Sequence, residues 1–525
     1  MTAGSSKSYD LVVIGTGMGG GTLAAALGDT GLRILLLERG DFLPCEEENW
    51  RPDAVFLERR YRTREFWLDE DGRPFVPALH PWVGGNTKVY GAALVRMRRE
   101  DFHPREHIDG VTPGWPIAYE DLEPHYCLAE HLYLVHGESG TDPTEPPRSR
   151  PYPYPPVPHE PYVAELAERL RAAGARPSPL PLGVDVRPHG RCIRCRTCDG
   201  FPCRVLAKAD ADVRGVRPAL GFPTVELMTR AFARRLLTDA SGRRIRAVEV
   251  ETGGKVREIA AEEFVVAGGA VHTAALLLRS ANDRHPRGLA NGADVVGRHL
   301  MAHHHTLLMA IDRERPNPTT FQKTLAVFDF YHGTPDVPFP AGSLQLIGKR
   351  TAETVRLAFP ELTAEEAHEL AAHSVDWWLL TEDLPDPENR VTLTSDGAIQ
   401  VRWRPANRRA HEALRRAAEE LLSSCGYREF LVQPIGLDGI AHYCGTVRFG
   451  DDPATSALDP VCRAWEVENL WVVDGSVFPT SGAVNPALTI AALALRTAEE
   501  LRRRFGIQRS IHETIERLVN GIERD

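Results

Sequence analysis

His442 and Asn485 are the residues of this chain whose types could carry out a reaction together. His442 stands in Ala441-His442-Tyr443-Cys444-Gly445-Thr446, and Asn485 opens Asn485-Pro486-Ala487. Hydride leaves an alcohol carbon readily only if the hydroxyl proton is taken at the same time, and the ordinary pKa of imidazole suits that task. We therefore expect His442 to be a general base and Asn485 to hold the substrate oxygen by a neutral hydrogen bond. The alternative for His442 is a buried structural histidine.

The segment after Asn485 is predicted to be a helix. Asn485 is expected to cap it and Pro486 to take its first position, and the residues from Ala487 to Leu495 include many helix formers. The free amides and the dipole of such a helix start would stabilise negative charge on a reduced flavin. If Asn485 were a cap alone, its replacement would leave turnover intact.

An N-terminal strand and turn carry the signature of a dinucleotide site. The apolar run from Tyr9 to Ile14 breaks into Gly15-Thr16-Gly17-Met18-Gly19-Gly20, which fits G-x-G-x-x-G before an alanine-rich helix. Gly15 allows the tight turn, Gly17 lets backbone amides approach a pyrophosphate, and Gly20 lets helix and strand pack closely.

A second apolar strand ends at Glu38-Arg39. The Glu38 carboxylate can accept both ribose hydroxyls and would repel a 2'-phosphate, so the motif predicts FAD or NAD and not NADP. The alternative is a glycine-rich turn without a ligand. The motif alone does not separate FAD from NAD.

Composition and charge exclude several classes of protein. The chain has 525 residues, 42% of them hydrophobic, and a net charge of -10. No basic run is long enough to follow a nucleic-acid backbone, so no nucleic-acid partner is expected. No apolar segment reaches the length of a membrane span and residues 1–8 lack a secretory signal, so we expect a cytoplasmic protein without a membrane partner. The nine cysteines are odd in number and unevenly spaced, which favours reduced thiols.

Further blocks extend the pattern. The run His80-Pro81-Trp82-Val83-Gly84-Gly85-Asn86 opens a loop too polar and irregular for a strand, and it could present backbone amides to a flavin edge. Residues 116–124 mark the start of another helix. Together with the C-terminal motifs, these blocks resemble the glucose-methanol-choline (GMC) oxidoreductase family of FAD enzymes. The resemblance covers most of the chain and is clearest in residues 10–40, 82–126, 265–300 and 442–498.

The resemblance implies roles for further residues at the cofactor. The turn Asp474-Gly475 would hold the ribityl-pyrophosphate region, and Ala233 would lie near the adenine. Ala267 and Gly268 follow a buried strand, and such small residues let backbone lie close to the nucleotide.

The family has histidine at its first catalytic position and histidine or asparagine at its second, so this chain is of the His/Asn kind. Some members bind FAD covalently through a histidine in the loop after the glycine pair. This chain has Thr87-Lys88-Val89-Tyr90 there, so FAD is expected to be noncovalent.

The expected fold class is α/β, with a Rossmann-like FAD-binding domain of the GMC and glutathione-reductase type and an inserted α+β substrate domain. Alternating segments such as Thr306 to Ile311, Ser343 to Ile347 and Val375 to Leu380 predict an antiparallel sheet, which would form the floor of the substrate site. The FAD-binding domain is assigned residues 1–110, 191–300 and 439–505, the substrate domain residues 111–190 (with a lid) and 301–438, and a C-terminal amphipathic helix residues 506–525. That helix could dock on its own chain or on a sister subunit, so a homo-oligomer stays open.

Two runs invite a metal interpretation. Cys192, Cys195, Cys198 and Cys203 approach the spacing of iron–sulfur ligation, but the last gap is longer than in the bacterial ferredoxin run. An iron–sulfur cluster, zinc, a redox disulfide and packed thiols are the alternatives; packed thiols are favoured and no metal is expected. In His303-His304-His305, neighbours on a strand point to opposite faces, so at most two could share a metal and a polar strand start is favoured.

Three hypotheses for the function follow. The first is FAD-dependent oxidation of a CH–OH group, with oxygen or another acceptor taking the electrons. Its substrate would be a small alcohol, most simply a sugar or glycoside, with an amino sugar as a further candidate because the chain is acidic. The second is a flavin-bearing lyase in which His442 moves protons without net redox. The third is a cofactor-binding protein without turnover.

Overall fold

The computed structural model describes residues 9–522. Residues 1–8, which are predicted to lack a secretory signal, lie outside this range. The helices are α1 (Met18–Leu27), α2 (Tyr119–Leu132), α3 (Pro161–Ala172), α4 (Arg217–Leu220), α5 (Ala270–Arg279), α6 (Ala352–Ala358), α7 (Ala364–His373), α8 (Arg408–Ser424), α9 (Ala487–Arg504) and α10 (Ile511–Ile522).

The strands, in chain order, are β1 (Tyr9–Ile14), β2 (Ile34–Leu37), β3 (Trp67–Leu68), β4 (Pro74–Phe75), β5 (Arg105–His107), β6 (Gly110–Thr112), β7 (Val135–His136), β8 (Ser178–Pro179), β9 (Leu182–Gly183), β10 (Val225–Met228), β11 (Phe232–Thr238), β12 (Ile245–Thr252), β13 (Lys255–Ile259), β14 (Ala261–Val266), β15 (His304–Ile311), β16 (Leu325–Val327), β17 (Ser343–Leu346), β18 (Ser374–Thr381), β19 (Arg390–Leu393), β20 (Ile399–Arg402), β21 (Glu429–Pro434) and β22 (Leu470–Val472).

A parallel sheet of five strands forms one half of the molecule. Its order is β10-β2-β1-β14-β22, and every neighbouring pair is parallel. Strand β2 and the later parts of β1 and β14 are continuous apolar runs, as is typical of a parallel sheet with both faces covered. Helix α1 is buried along its whole length and contacts α9, which follows the last strand. The carboxyl ends of β1, β2, β14 and β22 therefore meet at one edge.

A mainly antiparallel sheet of six strands forms the second half, in the order β21-β15-β18-β17-β16-β8. One face carries Leu308, Ala310 and Trp377, which pack with apolar side chains of α3 and α8. The opposite face carries His305, Leu307 and Trp378, because alternate residues of a strand share a face. The segments predicted as sheet lie in this unit, which draws strands from several stretches of the chain. The residue limits of the predicted domains stay a prediction.

The C-terminal helix α10 packs on its own chain. Ile511, Ile515 and Val519 are buried, and the helix contacts α1 and α2. Beside it, the Arg502 guanidinium lies 2.6 Å from an Asp29 carboxylate oxygen, and both side chains are buried. Within residues 9–522, no helix combines the length and the apolar character that crossing a bilayer requires.

Candidate active site

The glycines of the first turn leave one face of the backbone open. Gly15 has φ of +103°, and a Cβ there would lie 2.3 Å from the Ala267 carbonyl oxygen. A Cβ on Gly20 would lie 2.0 Å from the Gly15 carbonyl oxygen, so this glycine permits helix α1 to approach its strand. A Cβ on Gly17 would meet no described atom within 4 Å. Packing thus requires Gly15 and Gly20 to be glycine, whereas the backbone at Gly17 is open on the side where a Cβ would lie.

Glu38 lies at the end of β2, next to this turn. Its carboxylate accepts hydrogen bonds from the Thr16 hydroxyl at 2.6 Å and from the Gly40 amide at 2.8 Å. Burial raises the pKa of Glu38, opposed by these hydrogen bonds. The Ala231 amide donates to the Glu38 carbonyl at 2.9 Å, which brings the start of β11, and with it Ala233, close to the end of β2.

The neighbouring Arg39 extends away from Glu38. Its guanidinium donates to Glu65 at 2.7 Å and lies 3.1 Å from the His272 ring. Arg39 was expected to contact the cofactor, and its guanidinium forms an ion pair with Glu65.

The loop that contains Gly84 and Gly85 lies against the first turn. The Gly84 amide donates to the Thr16 hydroxyl at 3.2 Å, and a Cβ on Gly85 would lie 3.3 Å from Gly17 Cα. The Asn86 side chain is used within the loop, since its oxygen accepts from the His80 amide at 2.9 Å. Asn86 therefore shapes the loop with its side chain.

Asp474 joins two segments of the predicted cofactor site. Its carboxylate accepts from the Gly269 amide at 2.9 Å, from the Ser476 amide at 2.8 Å and from the Thr273 hydroxyl at 2.5 Å. These bonds hold the turn after Ala267 and Gly268 beside the 3₁₀ turn Gly475–Val477. The Gly445 amide donates to the Gly475 carbonyl at 3.1 Å, so the loop of His442 is tied to the same place.

His442 belongs to a cluster of three imidazoles. Its Nδ1 lies 3.0 Å from His303 Nδ1, and its ring is perpendicular to that of His305, with 4.8 Å between the centroids. Burial lowers the pKa of His442 to about 3, and His303 acts in the same direction. The imidazole is therefore neutral at pH 7, and a pKa this low makes it a weaker base than the ordinary imidazole assumed from the sequence.

The expectation of a plain polar strand start missed this cluster. His303 and His305 are buried and share the face that meets His442, whereas the His304 ring points away to the Ala406 carbonyl. The alternation along the strand allowed at most two of the three histidines to share a face and a metal. The sequence thus indicated that two histidines could share a face, but no local pattern identified His442 as their partner. In the described part of the chain, no protein atom hydrogen-bonds to either ring nitrogen of His305.

The start of helix α9 differs from its prediction in two respects. The helix begins at Ala487 with Pro486 as its N-cap, and no side chain caps it. Pro486 lacks an amide hydrogen, so it suits a position where that hydrogen would be unpaired. Asn485 is not the cap: its side-chain oxygen is buried and accepts no hydrogen bond from the described residues. Such an atom fits a role in binding a ligand.

The predicted cysteine run does not form a compact set of ligands. Cys192, Cys195, Cys198 and Cys203 are free thiols, and Cys198 is buried. Over residues 9–522, the only group of three or more metal-type ligands within 4.8 Å of one another is His303, His305 and His442. The absence of a metal stays a prediction.

Comparisons with known proteins match nearly the whole chain. Family models described as GMC oxidoreductase match residues 158–305 and 385–494. The 6'''-hydroxyparomomycin C oxidase of Streptomyces lividus is 32% identical, over 97% of this chain and 94% of that protein. Paromamine 6'-oxidase of Streptomyces fradiae is 31% identical, over 95% and 92%. The fold is similar to that of pyridoxine 4-oxidase from Mesorbium loti, with a TM-score of 0.67 at 19% identity, over 94% of this chain and 99% of that chain.

Proposed function

The chain belongs to the GMC oxidoreductase family of flavoproteins, and from this premise we propose that it oxidises a CH–OH group of a sugar-like alcohol with His442 as the base. As a member of this family it is an FAD-dependent oxidoreductase that acts on CH–OH donors. The relatives named above are oxidases, which leaves the lyase alternative without support.

The residues around the first turn would hold FAD without a covalent bond. Gly17 offers open backbone for the pyrophosphate, and Glu38 stands at the end of β2, where a ribose would bind. Asp474 orders the turns around it, and the free amides at the start of helix α9 would face the bound flavin. FAD, when bound, supplies the acceptor for hydride.

Two side chains of the site would act on the alcohol. His442 removes the hydroxyl proton while hydride leaves the same carbon, so that the alcohol becomes a carbonyl compound. Asn485 holds the alcohol oxygen through its amide, and its buried side-chain oxygen is free to accept a hydrogen bond from the substrate. The observation that carries this assignment is the position of His442, since its ring contacts His303 and His303 binds the Ser481 and Gly482 carbonyls a few residues before Asn485.

The six-stranded sheet would provide the floor of the substrate site, as part of an inserted substrate domain. Register places Gln345, Trp378, Leu307 and Gln433 in one row on the face that carries His305. A row that places an aromatic ring beside one amide, with a second amide beyond Leu307, suits a molecule with an apolar ring face and hydroxyl groups at its edge. The Gln345 amide nitrogen is buried and donates to no described atom.

An amino-sugar alcohol is the substrate class we favour. Two relatives more than 30% identical are named for action on 6'''-hydroxyparomomycin C and paromamine. The net charge of -10 would favour the approach of a cationic amino sugar.

Anaerobic reduction of the bound flavin tests the proposal. Paromamine, D-glucose and a simple diol would be mixed with the holoenzyme in a stopped-flow spectrometer. We expect loss of the flavin absorbance with one of the sugar-like alcohols, because only an oxidation reduces FAD. A flavin that stays oxidised with every alcohol while the alcohol is converted would support the lyase instead. Reoxidation of the reduced enzyme by oxygen or by a dye then identifies the acceptor.

A further inference from the structure

The hydrogen bonds of His303 determine where its proton resides. His303 Nε2 lies 2.7 Å from the Gly482 carbonyl oxygen and 3.1 Å from that of Ser481. A carbonyl oxygen can only accept, so Nε2 must carry a hydrogen. Burial lowers the pKa of His303 to about 4, so the ring is neutral at pH 7 and its Nδ1 has no hydrogen.

The second step concerns the contact between the two rings. His303 Nδ1 and His442 Nδ1 are 3.0 Å apart, which is a hydrogen-bond distance. Because His303 Nδ1 can only accept, the hydrogen must be on His442 Nδ1. A neutral imidazole carries one N–H, so His442 Nε2 then has a free lone pair.

We propose that His303 is the positioning residue that holds His442 in the tautomer with a basic Nε2, through a chain from His442 Nδ1–H to His303 and on to the Gly482 carbonyl. The inference rests on the proposed function, in which His442 is the base. After His442 accepts the alcohol proton at Nε2, its Nδ1–H continues to donate to His303, which stabilises the cation. A neutral imidazole therefore stands where a carboxylate orients the histidine of many hydrolases.

The fold makes this chain possible through elements far apart in sequence. His303 precedes β15, and the carbonyls it binds precede helix α9. His303 thus couples the orientation of the base to the segment that leads to Asn485. His305 approaches the same ring from the strand but forms no hydrogen bond with the described residues.

Matched variants of His303 and its neighbour test the proposal. In His303→Gln, the amide can donate to the carbonyls and its oxygen can accept from His442, whereas His303→Leu keeps an apolar volume and removes both functions. We expect flavin reduction by paromamine to slow about tenfold or more in His303→Leu. The Gln variant should recover most of the rate, and His304→Gln, on the opposite face, should match the wild type. Equal losses in the Gln and Leu variants would overturn the proposal.

Neutron diffraction of deuterated holoenzyme crystals tests the tautomer without any substrate. We expect deuterium on His442 Nδ1 and on His303 Nε2, and none on His303 Nδ1. Deuterium on His303 Nδ1 would overturn the inference even if the variants fail to fold. One zinc per chain that is lost in His305→Ala would also overturn it, because a metal would replace the shared proton. Wild-type flavin reduction in His442→Ala, together with the expected neutron map, would instead refute only the proposed role of His442.

Discussion

Alanine substitutions at Gly17 and Gly20 should separate cofactor binding from folding. The two glycines stand three positions apart in the same turn, but an added Cβ would meet different surroundings. At Gly17 the backbone has φ of -66° and ψ of -165°, which alanine can adopt, and no described atom lies within 4 Å of the added carbon. The free energy of unfolding of the Gly17→Ala apoprotein should therefore lie within about 0.5 kcal/mol of the wild-type value.

The methyl group of Gly17→Ala would point to the space assigned to the pyrophosphate. Loss of one hydrogen bond to a charged group costs about 1.5–3 kcal/mol. The dissociation constant for FAD should therefore rise by about tenfold to a hundredfold. Gly20→Ala should show the opposite pattern, a lower free energy of unfolding of the apoprotein rather than a direct loss of FAD contacts. The reason is that its Cβ would lie 2.0 Å from the Gly15 carbonyl oxygen.

The clash in Gly20→Ala outweighs the better helix propensity of alanine. Overpacking costs about 1–3 kcal/mol, whereas alanine gains about 0.5–1 kcal/mol over glycine in a helix. Because an approach of 2.0 Å to a backbone oxygen puts the overpacking cost near about 3 kcal/mol, the net destabilisation should be about 2 kcal/mol. Thermal unfolding of the two apoproteins and titration with FAD by fluorescence quenching measure both quantities. Wild-type FAD affinity in Gly17→Ala would refute the placement of the pyrophosphate at this turn.

Four further predictions concern the base, the pH dependence of flavin reduction, the cofactor linkage and the C-terminal helix. His442→Ala should retain FAD but reduce it about a hundredfold or more slowly, measured by anaerobic stopped flow; an unchanged rate would remove His442 from the mechanism. Because burial lowers the pKa of His442 to about 3, reduction by the wild type should not slow as the pH falls from 8 to about 5, as it would for a base with the ordinary histidine pKa. Acid precipitation should leave yellow FAD in the supernatant, since Thr87-Lys88-Val89-Tyr90 offers no histidine for a covalent bond; a yellow pellet would contradict this. Burial opposes ionisation of Asp29, but hydrogen bonds from Thr514 and Arg502 outweigh burial and lower the pKa of Asp29. The contribution of Asp29 to the stability of the fold is therefore present above the ordinary carboxylate pKa, and it is lost as the pH falls through the lowered value. Asp29→Asn should cost about 3 kcal/mol by leaving buried Arg502 without its carboxylate, and hydrogen exchange in α10 should accelerate at pH 7; protection equal to the wild type would show that the pair does not hold the helix.

The sequence by itself determined the local features of the half of the molecule that contains the parallel sheet. The apolar runs predicted β1 and β2, and the glycine spacing predicted the turn between β1 and α1. These features depend on neighbours in the chain, because backbone conformation at glycine and side-chain periodicity are local properties. The resemblance then extended the assignment to Asp474, whose bonds to Gly269 and Ser476 lie in the predicted turns.

The tertiary structure decided what the local pattern left open. Sequence reasoning identified His442 and noted that alternate histidines of a strand share a face, but it did not join the two observations. The contact between His303 and His442 spans 139 positions and depends on how β15 lies against the loop before Gly445. The start of α9 was likewise misplaced, since Asn485 is a plausible cap by composition but its side-chain oxygen accepts no hydrogen bond from the described residues. Composition sets which groups a chain can offer, whereas the packing of distant elements decides which of those groups meet.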